Sequence, residues 1–281
     1  MNREQLDQFI EMVLAEDVGD GDHSSLAVID VTSMGEATLL AKDTGIIAGV
    51  EVARLIFDKI NSSILFNAFL PDGANIYPGD KVFTIKGQTI SILKGERLVL
   101  NIMQRMSGIA TTTRKYADAV AGFKASIVDT RKTYPGMRFL EKEAVRIGGG
   151  TNHRMGLYDM IMLKDNHIDY AGGIQKAIEQ THKYLKENNL SLKIEVEARN
   201  LEEVKEIMKV GGVDRIMLDN FNIPQTEEAV AFIAGRFEIE SSGSITLDNV
   251  CEYAACGVDL ISIGALTHQL KSLDLSLKAS W

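Results

Sequence analysis

From about residue 126 onward the chain alternates short apolar runs with stretches of helix length, and this alternation limits its possible folds more than any other feature. The runs fall at residues 126–128, 160–163, 193–196, 215–218, 237–239 and 260–263. Runs this short and this apolar read as strands of a parallel sheet covered by the helices between them. Six βα units suit either a doubly wound sheet or a barrel. The polar residues favour the barrel: residues 129–132, Lys164, Glu197, Asp219, residues 242–244 and Gly264 each follow a run at its C-terminal end. Barrel enzymes assemble their sites at that end. Six runs rather than eight predict an incomplete α/β-barrel.

Before this region the pattern is mixed. Residues 1–16 show a helical stripe of Leu6, Phe9, Ile10, Val13 and Leu14, and a second helix is predicted over 50–60. Strands are predicted over 64–70 and 81–85, with Asp72-Gly73 and Pro78-Gly79 as turns. A long helical pattern over 95–120 links the two regions. The fold class is therefore α/β, with a smaller N-terminal α+β domain over 1–107, an open barrel domain over 108–267, and residues 268–281 packing with the first domain. At 281 residues and 45% hydrophobic content, the chain can bury the cores of two unequal domains.

The net charge of -9 argues against a nucleic-acid or anionic-membrane partner. Residues 105–167, however, hold eleven Lys or Arg against six Asp or Glu. Such a basic island is either helix surface or a seat for a small polyanion. Cys251 and Cys256 fit neither a disulfide framework nor a zinc site, and are expected to pack in a helical core. No apolar stretch is long enough to span a bilayer, and a cytoplasmic protein is expected.

Arg131 and Lys132 sit together after a predicted strand. Residues 148–156 (GGGTNHRMG) form a glycine-rich loop ending in His153 and Arg154, which matches neither the P-loop nor the dinucleotide fingerprint. Lys164 begins where an apolar run stops, and Glu197 and Asp219 end the next two runs. Arginine and lysine suit phosphates and carboxylates, whereas carboxylate oxygens suit ribose hydroxyls and hydrated Mg²⁺. One rim thus offers groups complementary to a phosphorylated sugar. Two other readings of these residues stay open: a lyase or aldolase in which Lys164 forms a Schiff base, and a phosphosugar-binding protein without catalysis.

Ordered motifs along the chain add to this reading. They are residues 104–111 (QRMSGIAT), 129–133 (DTRKT) with Pro135-Gly136, Glu141-Lys142, 148–157, 164–167 (KDNH), 195–197 (EVE), 218–221 (LDNF), 240–243 (ESSG) and 264–268 (GALTH). In these the chain resembles the decarboxylating quinolinate phosphoribosyltransferases over nearly its whole length. The resemblance implies transfer of a phosphoribosyl group from phosphoribosyl pyrophosphate to quinolinate in NAD biosynthesis, with Mg²⁺ as cofactor. Arg105, Thr130, Arg131, His153, Arg154 and Lys164 would surround the substrate anions, with Lys132 beside them. Lys132, Lys164, Glu197 and Asp219 form the implied catalytic set, and Glu197 and Asp219 the implied metal and ribose ligands. Backbone N–H groups at Ser242, Gly243, Ser244, Gly264, Ala265 and Leu266 would hold the 5-phosphate. A homodimer or larger homo-oligomer with shared sites is implied, in which Arg105 serves the neighbouring subunit. Two positions depart from the family: Ser244 replaces a usual second glycine, and Tyr134 a usual small residue.

Overall fold

A computed structural model describes residues 3–280. In chain order the first elements are α1 (Arg3–Val18), α2 (His23–Val28), β1 (Met34–Ala41), β2 (Gly45–Ile46), α3 (Val50–Ile60), β3 (Leu65–Ala68), β4 (Asn75–Ile76), β5 (Lys81–Gln88) and α4 (Thr89–Ala119). There follow β6 (Ser126–Val128), α5 (Arg138–Ile147), β7 (Ile161–Leu163), α6 (Asp165–Ala171), α7 (Ile174–Glu187), β8 (Ile194–Ala198), α8 (Leu201–Val210), β9 (Arg215–Asp219) and α9 (Ile223–Ile233). The chain ends with β10 (Glu238–Ser242), α10 (Val250–Ala255), β11 (Leu260–Ser262), α11 (Ala265–His268) and β12 (Leu275–Ser280).

These elements form two compact units. The first comprises residues 1–114, 134–149 and 269–281, the second 115–133 and 150–268. The division differs from a single boundary at 107/108, because residues 134–149 return to the first unit. The reason is local chemistry: α5 sets Phe139 edge-on against Phe9 of α1 at 5.4 Å and brings the fully buried Glu141 to Arg105 of α4. Stripping α5 away would leave that ring and that carboxylate without partners.

In the first unit an antiparallel sheet of order β12-β1-β5-β3 carries alternating burial, with Ala37, Leu39 and Ala41 inward on β1. Residues 34–41, not predicted as a strand, pair on one side with β12 and on the other with β5. Phe57 of α3 closes this core edge-on against Phe83 at 6.5 Å. On α1, Leu6, Phe9 and Ile10 are buried as the stripe predicts, whereas Val13 and Leu14 are only half-buried.

The second unit contains a six-stranded sheet of order β6-β11-β10-β9-β8-β7, parallel throughout. Among the described residues no pairing joins β6 to β7, so the sheet is open; only Thr151 extends it, through a parallel bridge to Val128. Two of the strands, β8 and β9, feed helices with a legible start. Asn200 caps α8 by accepting the Glu203 N–H at 3.0 Å. Asn222 and Gln225 cap α9 reciprocally, ahead of Pro224 in the first turn. Strand alternation turns Val196, Ile216, Leu218 and Ile239 to one face, while Glu195, Glu197, Arg215, Met217, Asp219, Glu240 and Ser242 share the other. Cys251 on α10 is exposed and Cys256 partly so, which corrects their expected place in a core. No helix among the described residues is long and apolar enough to cross a membrane.

Candidate active site

The C-terminal ends of the parallel strands bring most of the predicted residues together. Asp129 follows β6, and its Oδ1 accepts the His153 N–H at 2.9 Å, tying the residue 129–132 segment to the glycine-rich loop. Thr130 supports the next turn by accepting the Lys132 N–H at 3.1 Å. Arg131 and Lys132 are exposed. The Lys132 carbonyl accepts a hydrogen bond from Thr267 Oγ1 at 2.7 Å, so this loop is latched to α11. Gly264 lies tight against it: a Cβ there would sit 3.2 Å from Lys132 Cδ and 3.0 Å from His268 Nε2. Ala265 is half-buried, and the side chain of Leu266 is fully buried.

Arg154 donates to the Met160 carbonyl at 3.2 Å. Burial and the nearby charge of Arg131 both lower its pKa. Two guanidinium groups that work against each other in this way form a natural seat for an anion. Lys164 follows β7, with Nζ 3.2 Å from Oε2 of the almost fully buried Glu197 on β8. Asp219 ends β9, the neighbour of β8, and its Oδ2 accepts from Asn220 Nδ2 at 2.8 Å. Ser242 ends β10, and its carbonyl accepts the Asn220 N–H at 2.8 Å. Gly243 packs so closely on Asn220 that any side chain there would collide with it.

Ser244 adopts a left-handed backbone, φ 54°, which explains why glycine suits this position. A non-glycine residue there costs roughly 1–2 kcal/mol, partly offset by the entropy that glycine loses on folding. Ser244→Gly is therefore expected to raise stability by about 0.5–1 kcal/mol, readable as a higher denaturation midpoint. A lower midpoint would show that the hydroxyl makes a stabilising contact.

Three residues outside the predicted set join the site from below. His153 does not face solvent: its side chain is 5% exposed, and Nε2 lies 3.0 Å from Glu195 and 3.1 Å from Glu240, both fully buried. Arg215 adds a second cation, 3.0 Å from Glu240 and 3.5 Å from Glu195, while its Nε reaches Glu238 at 2.8 Å. Glu195 Oε1 and Glu240 Oε1 are buried without a hydrogen-bond partner among the described residues. The sequence carries a signal for these residues, since Glu195 stands two before Glu197, Arg215 four before Asp219 and Glu240 two before Ser242. Period-two alternation puts all of them on the site's face. His153, Glu195 and Glu240 bring ligand-type atoms within 4.8 Å of one another. A metal there would have to displace Arg215, whose guanidinium already supplies the compensating charge.

Burial pushes the Glu195 carboxyl up, the charge of Glu240 adds to this, and its pKa reaches about 7. Burial opposes charge on His153, but the hydrogen bonds to Glu195 and Glu240 outweigh it and lift the ring to about 9. The Arg154 amide donates to Nδ1 at 2.7 Å and competes with a second proton on the ring. Whichever group carries the proton, both bind it more tightly folded than unfolded. Stability from this cluster is therefore present at low pH and falls as pH rises between about 4.5 and 9, the Glu195 share from 4.5 to about 7 and the His153 share from 6.5 to about 9. Thermal midpoints across that window should decline, and Glu195→Gln should flatten the decline; a midpoint rising with pH would contradict this account.

Arg105 belongs to the first unit. Its Nε and Nη2 lie 2.8 and 2.7 Å from Glu141 Oε1, and its guanidinium stacks on the Tyr134 ring, 3.7 Å from the centroid.

Residues 22–107 match the family model "Quinolinate phosphoribosyl transferase, N-terminal domain", and residues 109–278 match its C-terminal counterpart. The chain belongs to the quinolinate phosphoribosyltransferase family. It is 46% identical to quinolinate phosphoribosyltransferase [decarboxylating] 1b of Nicotiana tabacum, with 96% of this chain and 81% of that protein aligned. The same figures describe the chloroplastic nicotinate-nucleotide pyrophosphorylase [carboxylating] of Arabidopsis thaliana. Among solved structures, NadC from Streptococcus pyogenes superposes with a TM-score of 0.94 at 40% identity, covering 100% of this chain and 98% of that one. The nicotinate-nucleotide pyrophosphorylase of Francisella tularensis gives 0.93 at 34% identity, covering 100% and 98%. The two-domain α/β fold is thus the family's own.

Proposed function

We propose that this protein, as a member of the quinolinate phosphoribosyltransferase family, converts quinolinate and phosphoribosyl pyrophosphate to nicotinate mononucleotide, pyrophosphate and carbon dioxide. The observation that carries the reading is the gathering of Arg131, Lys132, Arg154 and Lys164 at the same strand ends as Glu197 and Asp219, with Lys164 ion-paired to Glu197. Both substrates are polyanions that repel each other. Charge-assisted hydrogen bonds contribute roughly 1.5–3 kcal/mol each, so several cations are needed to bring the two together.

Arg131 and Arg154 suit the planar carboxylates of quinolinate, since a guanidinium can bind them through two parallel hydrogen bonds. Backbone N–H groups of residues 242–244 and 264–266 suit the 5-phosphate. As the bond from C1 of the ribose to pyrophosphate breaks, C1 gains cationic character that Glu197 or Asp219 stabilises. The pyridine nitrogen bonds to C1 and becomes positive. The bond from C2 to its carboxylate then breaks, the ring takes the electron pair, carbon dioxide leaves, and C2 takes up a proton.

Magnesium suits Glu197 and Asp219, carboxylate donors on adjacent strands, since it is commonly held by one or two carboxylates together with substrate phosphates. When bound, it would neutralise charge on the departing pyrophosphate. The two unpaired cysteines accord with a reducing compartment, and we place the protein in the cytoplasm. A homodimer or larger homo-oligomer in which Arg105 serves the neighbour's site completes the proposal. Mixing an Arg105→Ala subunit with a Lys164→Ala subunit should then restore activity, and failure of all such mixtures would restrict each site to one chain.

The deciding assay incubates the pure protein with both substrates and Mg²⁺. The expected result is carbon dioxide and the mononucleotide in equal amounts. Binding of phosphoribosyl pyrophosphate without turnover would leave a phosphosugar-binding protein instead.

A further inference from the structure

Tyr134 stands outside the reaction just described, yet its position is specific. Two groups hold Arg105: the carboxylate of Glu141, which is fully buried, and the Tyr134 ring, 3.7 Å from the guanidinium carbon. The Tyr134 N–H approaches both oxygens of Glu141 at 3.4 Å, so one carboxylate organises both the arginine and the residue stacked on it. Glu141 fixes one edge of the guanidinium, and the ring fixes its plane. A cation held on one edge and one face keeps a single orientation with little rotamer freedom to lose on binding. Tyr134 itself is 55% exposed, so the aromatic face is not required to fill a core.

We infer that Tyr134 is a positioning residue: its ring holds the plane of the Arg105 guanidinium for a planar substrate carboxylate. The inference rests on the proposed activity and on Arg105 as one of its substrate contacts. It gives the chain a substrate-orienting element at a position where a small side chain could not supply one.

The test is steady-state kinetics with quinolinate and phosphoribosyl pyrophosphate varied separately, on the full chain and its Tyr134→Ala, Tyr134→Leu and Tyr134→Phe variants. Tyr134→Ala should raise KM for quinolinate about three- to tenfold, with kcat and KM for phosphoribosyl pyrophosphate little changed. Tyr134→Leu keeps bulk without a π face and should resemble Ala, while Tyr134→Phe should restore wild-type values. In an Arg105→Lys background the Tyr134→Ala effect should shrink. Unchanged quinolinate KM in Tyr134→Ala, equal impairment of both substrates, or a Phe variant as poor as Ala would each overturn the inference. A wild-type protein without turnover would instead overturn the activity on which it rests.

Discussion

A Lys164→Ala variant is expected to fold and to lose about 2–5 kcal/mol of transition-state stabilisation, roughly 30-fold to several thousand-fold in kcat/KM. Lys164 sits between β7 and α6, and its side chain is 48% exposed, so the ammonium is not part of the packed interior. The backbone there is held independently, by His167 Nδ1 accepting the Lys164 N–H at 3.0 Å. Removing the side chain should therefore shift the thermal midpoint far less than the rate. The large kinetic effect follows because Lys164 is poised between two demands. It neutralises Glu197 when the site is empty, and it can turn to a substrate anion when one arrives. Without it, a buried carboxylate is left facing incoming negative charge, which penalises binding as well as catalysis. Comparing circular dichroism and thermal midpoints with kcat/KM separates the two effects. A folded variant with wild-type efficiency would remove Lys164 from the reaction.

The fold was legible where one principle governed a segment. The run over 215–218 became β9 and the helix over 50–60 became α3, because apolar periodicity and burial agree there. Residues 34–41 were not recognised as a strand, because β1 gains its partners only from β5 and from the distant β12, a pairing no local pattern encodes. The packing of residues 134–149 with the first unit is hidden for a similar reason: the contacts of Phe139 with Phe9 and of Glu141 with Arg105 join positions far apart along the chain. At the site, the strand ends announced Lys164, Glu197 and Asp219 directly, since a charged residue that stops an apolar run has few places to go but the rim. The direction in which His153 points was not legible. A histidine in a glycine-rich loop reads as a ligand for anions, yet here the ring turns down to Glu195 and Glu240. Those acids were visible in the alternation of β8 and β10, but only their pairing with Arg215 shows what charge balance the interior requires.

That balance leads to the second large effect: Arg215→Met is expected to cost about 3–5 kcal/mol of stability near pH 8, the usual penalty for stranding a buried charge. The side chain of Arg215 is 12% exposed and those of Glu195 and Glu240 are not exposed at all, so water cannot replace the lost guanidinium without opening the sheet face. Methionine fills much the same volume, which isolates the charge from the packing. The cost should also depend on pH. Glu195 is already pushed up to about 7 by burial and by Glu240, and losing Arg215 pushes it further in the same direction. As pH falls toward 5, the folded variant can take up the proton that neutralises Glu195, so the deficit relative to wild type should narrow. The double variant Arg215→Met, Glu195→Gln removes the stranded charge chemically and should recover part of the loss at pH 8, a coupling readable in a double-mutant cycle of denaturation midpoints. Equal stability of Arg215→Met and wild type at pH 8 would mean that the guanidinium does not supply charge that Glu195 and Glu240 require, and would overturn this account of the cluster.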